Sequence, residues 1–75
     1  MNDNMTPGQR LAELRRDAGL TQAELARRCD AHVMYISKLE TGRADLSGIA
    51  LIRAIQIADA LGIDNPRDLL PDYNK

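Results

Sequence analysis

The chain has 75 residues, enough for one domain. Aromatic residues make up 3% of the sequence and hydrophobic residues 44%, so the core must be aliphatic, which favours packed helices over aromatic-rich strands. The net charge of −1 excludes a generally basic protein, and the single cysteine excludes an internal disulfide and is typical of a cytoplasmic protein.

The first predicted element is a helix that follows a short polar segment. Thr6 can act as its N-cap, Pro7 suits the first helical position, and Gln9 completes a capping box. Apolar residues spaced three and four apart give this helix one apolar face. Gly19 follows and supplies the left-handed residue that ends the helix.

Two short amphipathic helices joined by a tight turn are predicted next. Thr21 and Glu24 form a second capping box at the start of helix two. Asp30 interrupts the apolar pattern, and aspartate tolerates a left-handed backbone better than most residues with a side chain. Helix three is predicted from about residue 32 to residue 41, and Gly42 closes it. Two helices and a turn of this kind are the layout of a helix-turn-helix.

A long fourth helix is predicted to end near Leu61, with Ser47 or Asp45 as its N-cap. It is apolar nearly all round, so one stripe can face the core and another a partner. A short fifth helix is predicted from Asn65-Pro66 through Leu70. The sequence therefore predicts an all-α, five-helix compact bundle. Residues 1–5 and 71–75 are predicted as tails around a folded domain of residues 6–70.

Several short sequence motifs occur in a fixed order and spacing between residues 8 and 70. They are Gly19-Leu20-Thr21-Gln22, Glu24-Leu25-Ala26, Tyr35-Ile36-Ser37-Lys38-Leu39-Glu40, Gly42, Ile57-Ala58-Asp59-Ala60-Leu61-Gly62 and Pro66-Arg67-Asp68-Leu69-Leu70. In these motifs the chain resembles the Cro and phage-repressor helix-turn-helix family. The resemblance implies a lambda-repressor-like fold and a sequence-specific regulator of transcription, a repressor, that binds double-stranded DNA.

The sequence departs from the family's usual pattern in three places. Asp30 stands where the turn usually carries glycine, and the recognition helix opens with the apolar pair Val33-Met34 where polar residues are usual. The stretch between Gly42 and Leu61 is a few residues longer than in the commonest form. The extra residues lengthen either helix four or the loop before it.

The resemblance implies that helix three lies in the major groove with its first residues against base edges. Val33, Met34 and Lys38 would face bases. Lys38 can donate to guanine O6 and N7, whereas Val33 and Met34 can pack on a thymine methyl. The alternative for Val33 and Met34 is that they extend the core or a partner surface.

A second set of residues would contact phosphates or lie at the margin of the base contacts: Gln22, His32, Tyr35, Ser37 and Arg43. The amide of Gln22 would donate to a phosphate near the positive end of helix two. Hydroxyl groups such as those of Tyr35 and Ser37 suit the same contact. Tyr35 could instead lie flat on the domain surface, and Arg43 could be solvated.

The basic residues of the predicted reading region are interleaved with acidic ones, so the positively charged surface is expected to be small. They are Arg27, Arg28, Lys38 and Arg43, with Arg10, Arg15 and Arg16 nearby in sequence. The resemblance implies that Arg15 and Glu40 form a structural ion pair behind the reading face. Such a pair, where partly buried, fixes geometry more than it adds stability.

The partners expected are double-stranded DNA and a second copy of the chain, whose half-sites would lie about 34 Å apart. The predicted dimer interface is apolar: Ala54, Ile57, Leu69, Leu70 and Tyr73. The alternative is that these residues complete the monomer core. We expect no membrane segment or small-molecule ligand.

The sequence gives little support for metal binding or catalysis. One histidine, His32, and one cysteine, Cys29, predict no metal site and no cofactor. No nucleophile–base set or phosphate loop indicates an enzyme. Two alternatives remain, an antitoxin or other protein-interaction module on the same fold, and a restriction–modification controller.

Overall fold

The computed structural model describes residues 5–70, which form four α-helices and two 3-10 turns without a strand. The helices are α1 (Pro7–Asp17), α2 (Gln22–Arg28), α3 (Val33–Thr41) and α4 (Leu51–Leu61), and the turns are Leu46–Gly48 and Pro66–Leu69. Residues 1–4 and 71–75, which include Tyr73 and most of both predicted tails, lie outside the described residues. No helix in the described part is long and apolar enough to cross a membrane.

Both predicted capping boxes are present. The Thr6 hydroxyl accepts from the Gln9 backbone N–H at 3.1 Å, and the Gln9 side chain accepts from the Thr6 N–H at 2.9 Å. Thr21 and Glu24 repeat this arrangement at the start of α2, at 3.0 and 2.8 Å. The hydrogen bonds from Thr21 hold the pKa of the Glu24 carboxyl below its ordinary value.

Glu24→Gln is expected to make stability less dependent on pH in the acidic range. The folded-state pKa of Glu24 lies below its ordinary value of 4.5, so its stabilising contribution is present above that value and is lost as pH falls through the folded-state pKa. Glutamine keeps the capping box but does not titrate. Thermal unfolding from neutral to acidic pH measures the difference, and identical profiles for the two proteins would contradict this role.

The core is one aliphatic cluster to which all four helices contribute. Its fully buried large side chains are Leu11, Leu25, Ile36, Leu39 and Ile57. Helix α3 packs mainly against α1 and α2, while α4 packs against α2 and the last 3-10 turn. Cys29 is also buried in this cluster, and burial raises the pKa of its thiol. It is therefore a small core residue.

The predicted start of helix four is wrong. Helix α4 begins at Leu51, and its N-cap residue Ala50 makes no side-chain capping bond. Asp45 instead accepts from the Ser47 backbone N–H at 3.0 Å and caps the 3-10 turn before the helix. The extra residues after Gly42 therefore lengthen the loop.

The predicted fifth helix is a 3-10 turn, so the fold has four helices in the described residues rather than five. Asn65 caps the turn by accepting from the Arg67 backbone N–H at 3.0 Å, and Pro66 opens it. The turn has 4 residues, too few to build a ladder of i to i−4 bonds. Its burial of Leu69 nevertheless attaches this segment to the core.

Two of the five residues predicted at the dimer interface are buried in the monomer. Ile57 is 0% exposed and Leu69 is 2% exposed, so both belong to the core, while Ala54 and Leu70 are half-buried. The exposed apolar side of the helix, here called the α4 face, consists of Leu51, Ile52 and Ile55. The apolar pattern contains two stripes, and the packing of α4 on α2 and on the last 3-10 turn decides which one faces inward.

Candidate nucleic-acid interface

The two central helices are joined by a turn with one left-handed residue. Asp30 has a φ of 57°, the conformation that its position in the apolar pattern predicts. The Ala31 N–H donates to the Ala26 carbonyl at 2.8 Å and closes the end of α2. Helix α3 then begins at Val33 with His32 as its N-cap residue, although the imidazole makes no capping bond.

Helix α3 presents one face to the core and the opposite face to solvent. Ile36 and Leu39 are both 0% exposed and fix the inner face. Val33 is 45% exposed, Met34 is 66% exposed and Lys38 is exposed as well. Neither apolar residue extends the core of the monomer. The three residues predicted to contact bases thus share the outer side of one short helix.

The residues predicted at the margins lie around this face with different exposure. His32 and Arg43, just before and just after α3, are exposed, whereas Tyr35 and Ser37 are half-buried. Exposed Arg27 and Arg28 end the neighbouring helix α2 and add positive charge. The outer surface of the two helices is therefore partly basic, with an apolar patch at the start of α3.

Behind this surface Arg15 and Glu40 form a nearly buried ion pair, with 12% and 6% of their side chains exposed. Arg15 Nε donates to Glu40 Oε2 at 2.6 Å and Nη2 to Oε1 at 3.2 Å. The hydrogen bond to Glu40 raises the pKa of Arg15 above its ordinary value. Arg15 Nη1 also donates to the Leu20 carbonyl at 2.8 Å, so the pair joins α1, α3 and the start of α2.

Gln22 belongs to the same network, which sequence reasoning missed. Its Nε2 donates to Glu40 Oε1 at 2.9 Å from the first position of α2. A carboxamide nitrogen has two hydrogens, and this bond uses one of them. The other remains available, so the phosphate contact of Gln22 stays a prediction.

Arg53 is a second residue that sequence reasoning missed. Its Nη1 donates to the Cys29 carbonyl at 3.0 Å, and its guanidinium carbon lies 5.2 Å from the centre of the Tyr35 ring. The signal available in the sequence was a single basic residue on a largely apolar helix. Tyr35 thus lies against the side chain of Arg53, and its phosphate contact stays a prediction.

Within residues 5–70 no group of three histidine, cysteine, aspartate or glutamate side chains could hold a metal ion. The arrangement offers surface recognition: a helix edge with exposed apolar and cationic side chains, supported by a partly buried ion pair. In DNA-binding helix-turn-helix proteins, the second helix of the motif lies in the major groove.

The chain is similar to known helix-turn-helix proteins in sequence and in structure. The model of the helix-turn-helix domain family matches residues 8–70. An uncharacterised HTH-type transcriptional regulator, y4dJ of Sinorhizobium fredii, is 38% identical over 64 residues, which are 85% of this chain and 79% of that protein.

Solved structures with the same fold include the restriction-modification controller protein C.AhdI from Aeromonas hydrophila. It has a TM-score of 0.77 and 34% identity, and the match covers 93% of this chain and 100% of that one. The clp gene regulator ClgR from C. glutamicum has a TM-score of 0.72 and 29% identity, covering 87% and 79% of the two chains. The chain belongs to the helix-turn-helix family of transcriptional regulators.

Proposed function

We propose that the protein is a sequence-specific repressor that acts in the cytoplasm as a homodimer and inserts α3 into the major groove of double-stranded DNA. The observation that carries this proposal is the outer side of α3, where Val33, Met34 and Lys38 project from a helix whose inner side is held in the core. Repression by occupying a promoter needs no more than such a DNA-binding unit.

The chemistry of the exposed side chains indicates what the protein reads. Lys38 can donate to guanine O6 and N7, and Val33 and Met34 offer only apolar contact, which suits the thymine methyl. We infer a half-site with one guanine and neighbouring thymines. Around them, phosphates would be held by residues that flank the base contacts: Gln22, His32, Tyr35, Ser37 and Arg43.

The α4 face supports a homodimer. Leu51 is 72% exposed, Ile52 64% and Ile55 37%, and exposed apolar side chains grouped in this way mark surfaces of association. Two copies joined there would read half-sites about one helical turn, or 34 Å, apart. Ala54 and Leu70, which are half-buried, would lie at the edge of the interface.

A selection from random double-stranded DNA with the purified protein tests the function. We expect a twofold-symmetric sequence to be retained over random competitor. Affinity for it should fall steeply with salt, with a log–log slope of about −3 per subunit for three or four phosphate contacts. An antitoxin or other protein-interaction module would retain no sequence, and that result would overturn the proposal.

A second candidate function is control of a restriction–modification system. It is favoured by the likeness to C.AhdI, a restriction-modification controller protein, over nearly the whole of this chain. The selected sequence would distinguish the two functions. If the protein controls a restriction–modification system, the selected DNA sequence would occur upstream of a restriction–modification gene pair in the source genome. If it represses other genes, the sequence would occur upstream of those genes.

Lys38→Ala is expected to weaken binding to the best site by about 1–3 kcal/mol and to relax the preference at one base pair, because one major-groove donor is lost. Gln22→Ala is expected to weaken binding to all sequences alike, because it removes a phosphate contact and also the hydrogen bond to Glu40 that supports the motif. Competition binding against single-base variants of the site measures both. Equal loss on every sequence would show that Lys38 only anchors a phosphate.

A further inference from the structure

Arg53 makes two contacts that reach from α4 into the helix-turn-helix. Its guanidinium Nη1 donates to the carbonyl of Cys29, the C-cap residue of α2, at 3.0 Å. The same guanidinium lies 5.2 Å from the centre of the Tyr35 ring on α3. One half-buried side chain therefore touches both helices of the motif.

Each of the two contacts of Arg53 is energetically favourable. Carbonyls at the end of a helix lack partners within the helix, and a cation is favourable there because of the helix dipole. A guanidinium within about 6 Å of an aromatic centre is attracted to the ring face. Arg53 satisfies the end of α2 and also restrains the ring of Tyr35.

This restraint acts where the base contacts are expected. Tyr35 lies in the first turn of α3, directly after Val33 and Met34. Helix α3 packs mainly against α1 and α2. The contact of Arg53 with Tyr35 is thus a direct link from α4 to the part of α3 that carries the apolar pair.

We propose that Arg53 is a positioning residue: it holds the first turn of α3 at a fixed orientation against α4, so that Val33 and Met34 meet the bases. This inference rests on the proposed function as a DNA reader. It assigns Arg53 an effect on discrimination between sequences and no phosphate contact of its own.

The test is Arg53→Met in the full chain, measured on the selected DNA and on random DNA over a range of salt concentrations. We expect binding to the selected DNA to weaken by about fivefold, a value typical of couplings carried through packed side chains. Binding to random DNA should change much less. The salt slope on the selected DNA should stay the same, because no phosphate contact is lost.

Two further variants make the result specific. Arg67→Met, at an exposed arginine on the last 3-10 turn, measures the effect of losing one positive charge and should affect both DNAs equally and slightly. In a Tyr35→Leu background, Arg53→Met should weaken the selected complex less than it does in the wild type, because the ring that it restrains is gone.

The outcomes separate the two proposals. If the wild type selects no sequence, the proposed function fails and the inference falls with it. If the wild type is selective but Arg53→Met weakens both DNAs alike, or lowers the salt slope by about 0.9 per subunit, Arg53 is a phosphate ligand or a general charge and the inference alone is overturned. If Arg53→Met does not fold, Arg53→Lys takes its place in the test. Lysine keeps the positive charge but cannot stack a planar group on the Tyr35 ring, so this variant should also discriminate less between selected and random DNA.

Discussion

Glu40→Ala is expected to lower the free energy of unfolding by about 3 kcal/mol. The substitution leaves the guanidinium of Arg15, whose side chain is 12% exposed, without its carboxylate partner, and a nearly buried charge without a partner is strongly destabilising. Gln22 loses its hydrogen-bond acceptor at the same time. Denaturant unfolding of the wild type and the variant measures the loss.

The chain offers a matched control in its surface ion pair. Arg10 Nη1 lies 2.9 Å from Glu13 Oε1, but the side chains are 32% and 37% exposed. Glu13→Ala should therefore cost less than about 1 kcal/mol. If Glu40→Ala costs no more than Glu13→Ala, the partly buried network of Arg15, Gln22 and Glu40 does not hold the helices together.

Replacing both Arg15 and Glu40 distinguishes the effect of the ion pair on the orientation of α3 from its effect on the free energy of unfolding. The double variant Arg15→Met, Glu40→Leu removes both charges and keeps apolar volume, so it should recover much of the stability lost in Glu40→Ala. It would still lack the bidentate link between α1 and α3. We expect weaker DNA binding despite the recovered stability, since α3 would be held by apolar packing only.

Local features of this fold were predictable because they depend on neighbours in sequence. Thr6 and Thr21 cap helices through residues three positions later, and Asp30 adopts the left-handed turn that its position requires. The start of α4 was not predictable in this way. Asp45 does cap, but it caps a 3-10 turn, and the helix begins later at Leu51 with no side-chain signal.

Long-range features were not predictable from spacing. The pattern of α4 contains two apolar stripes, and which one faces the core depends on its packing against α2 and the last 3-10 turn, which buries Ile57 and leaves Ile52 exposed. Arg53 reaches Cys29 and Tyr35 because three helices meet there, which no local motif encodes. The candidate base contacts and the Arg15–Glu40 pair were implied by the order of motifs, whereas the contacts of Gln22 with Glu40 and of Arg53 with Tyr35 are visible only in the fold.

Gly8 is another residue whose importance only the fold reveals. It lies in the first turn of α1 and is buried against the end of α3. A Cβ built there would clash with the carbonyl oxygen of Leu39 and lie 2.7 Å from that of Glu40. Both obstacles are backbone atoms of a helix, so neither can rotate aside. The close approach of α1 to α3, which also aligns Arg15 with Glu40, therefore requires glycine.

Gly8→Ala is expected to lower the free energy of unfolding by about 2–3 kcal/mol, because α1 and α3 must move apart and overpacking of this kind costs about that much. Helix propensity alone predicts the opposite sign, since alanine is favoured over glycine by about 1 kcal/mol. Gly48→Ala is the matched control: its Cβ would meet only the Asp45 side chain, at 3.5 Å, and should be neutral or stabilising. Denaturant unfolding of both variants decides between the two signs. A Gly8→Ala protein as stable as the wild type would mean that the two helices do not approach as closely as the structure places them.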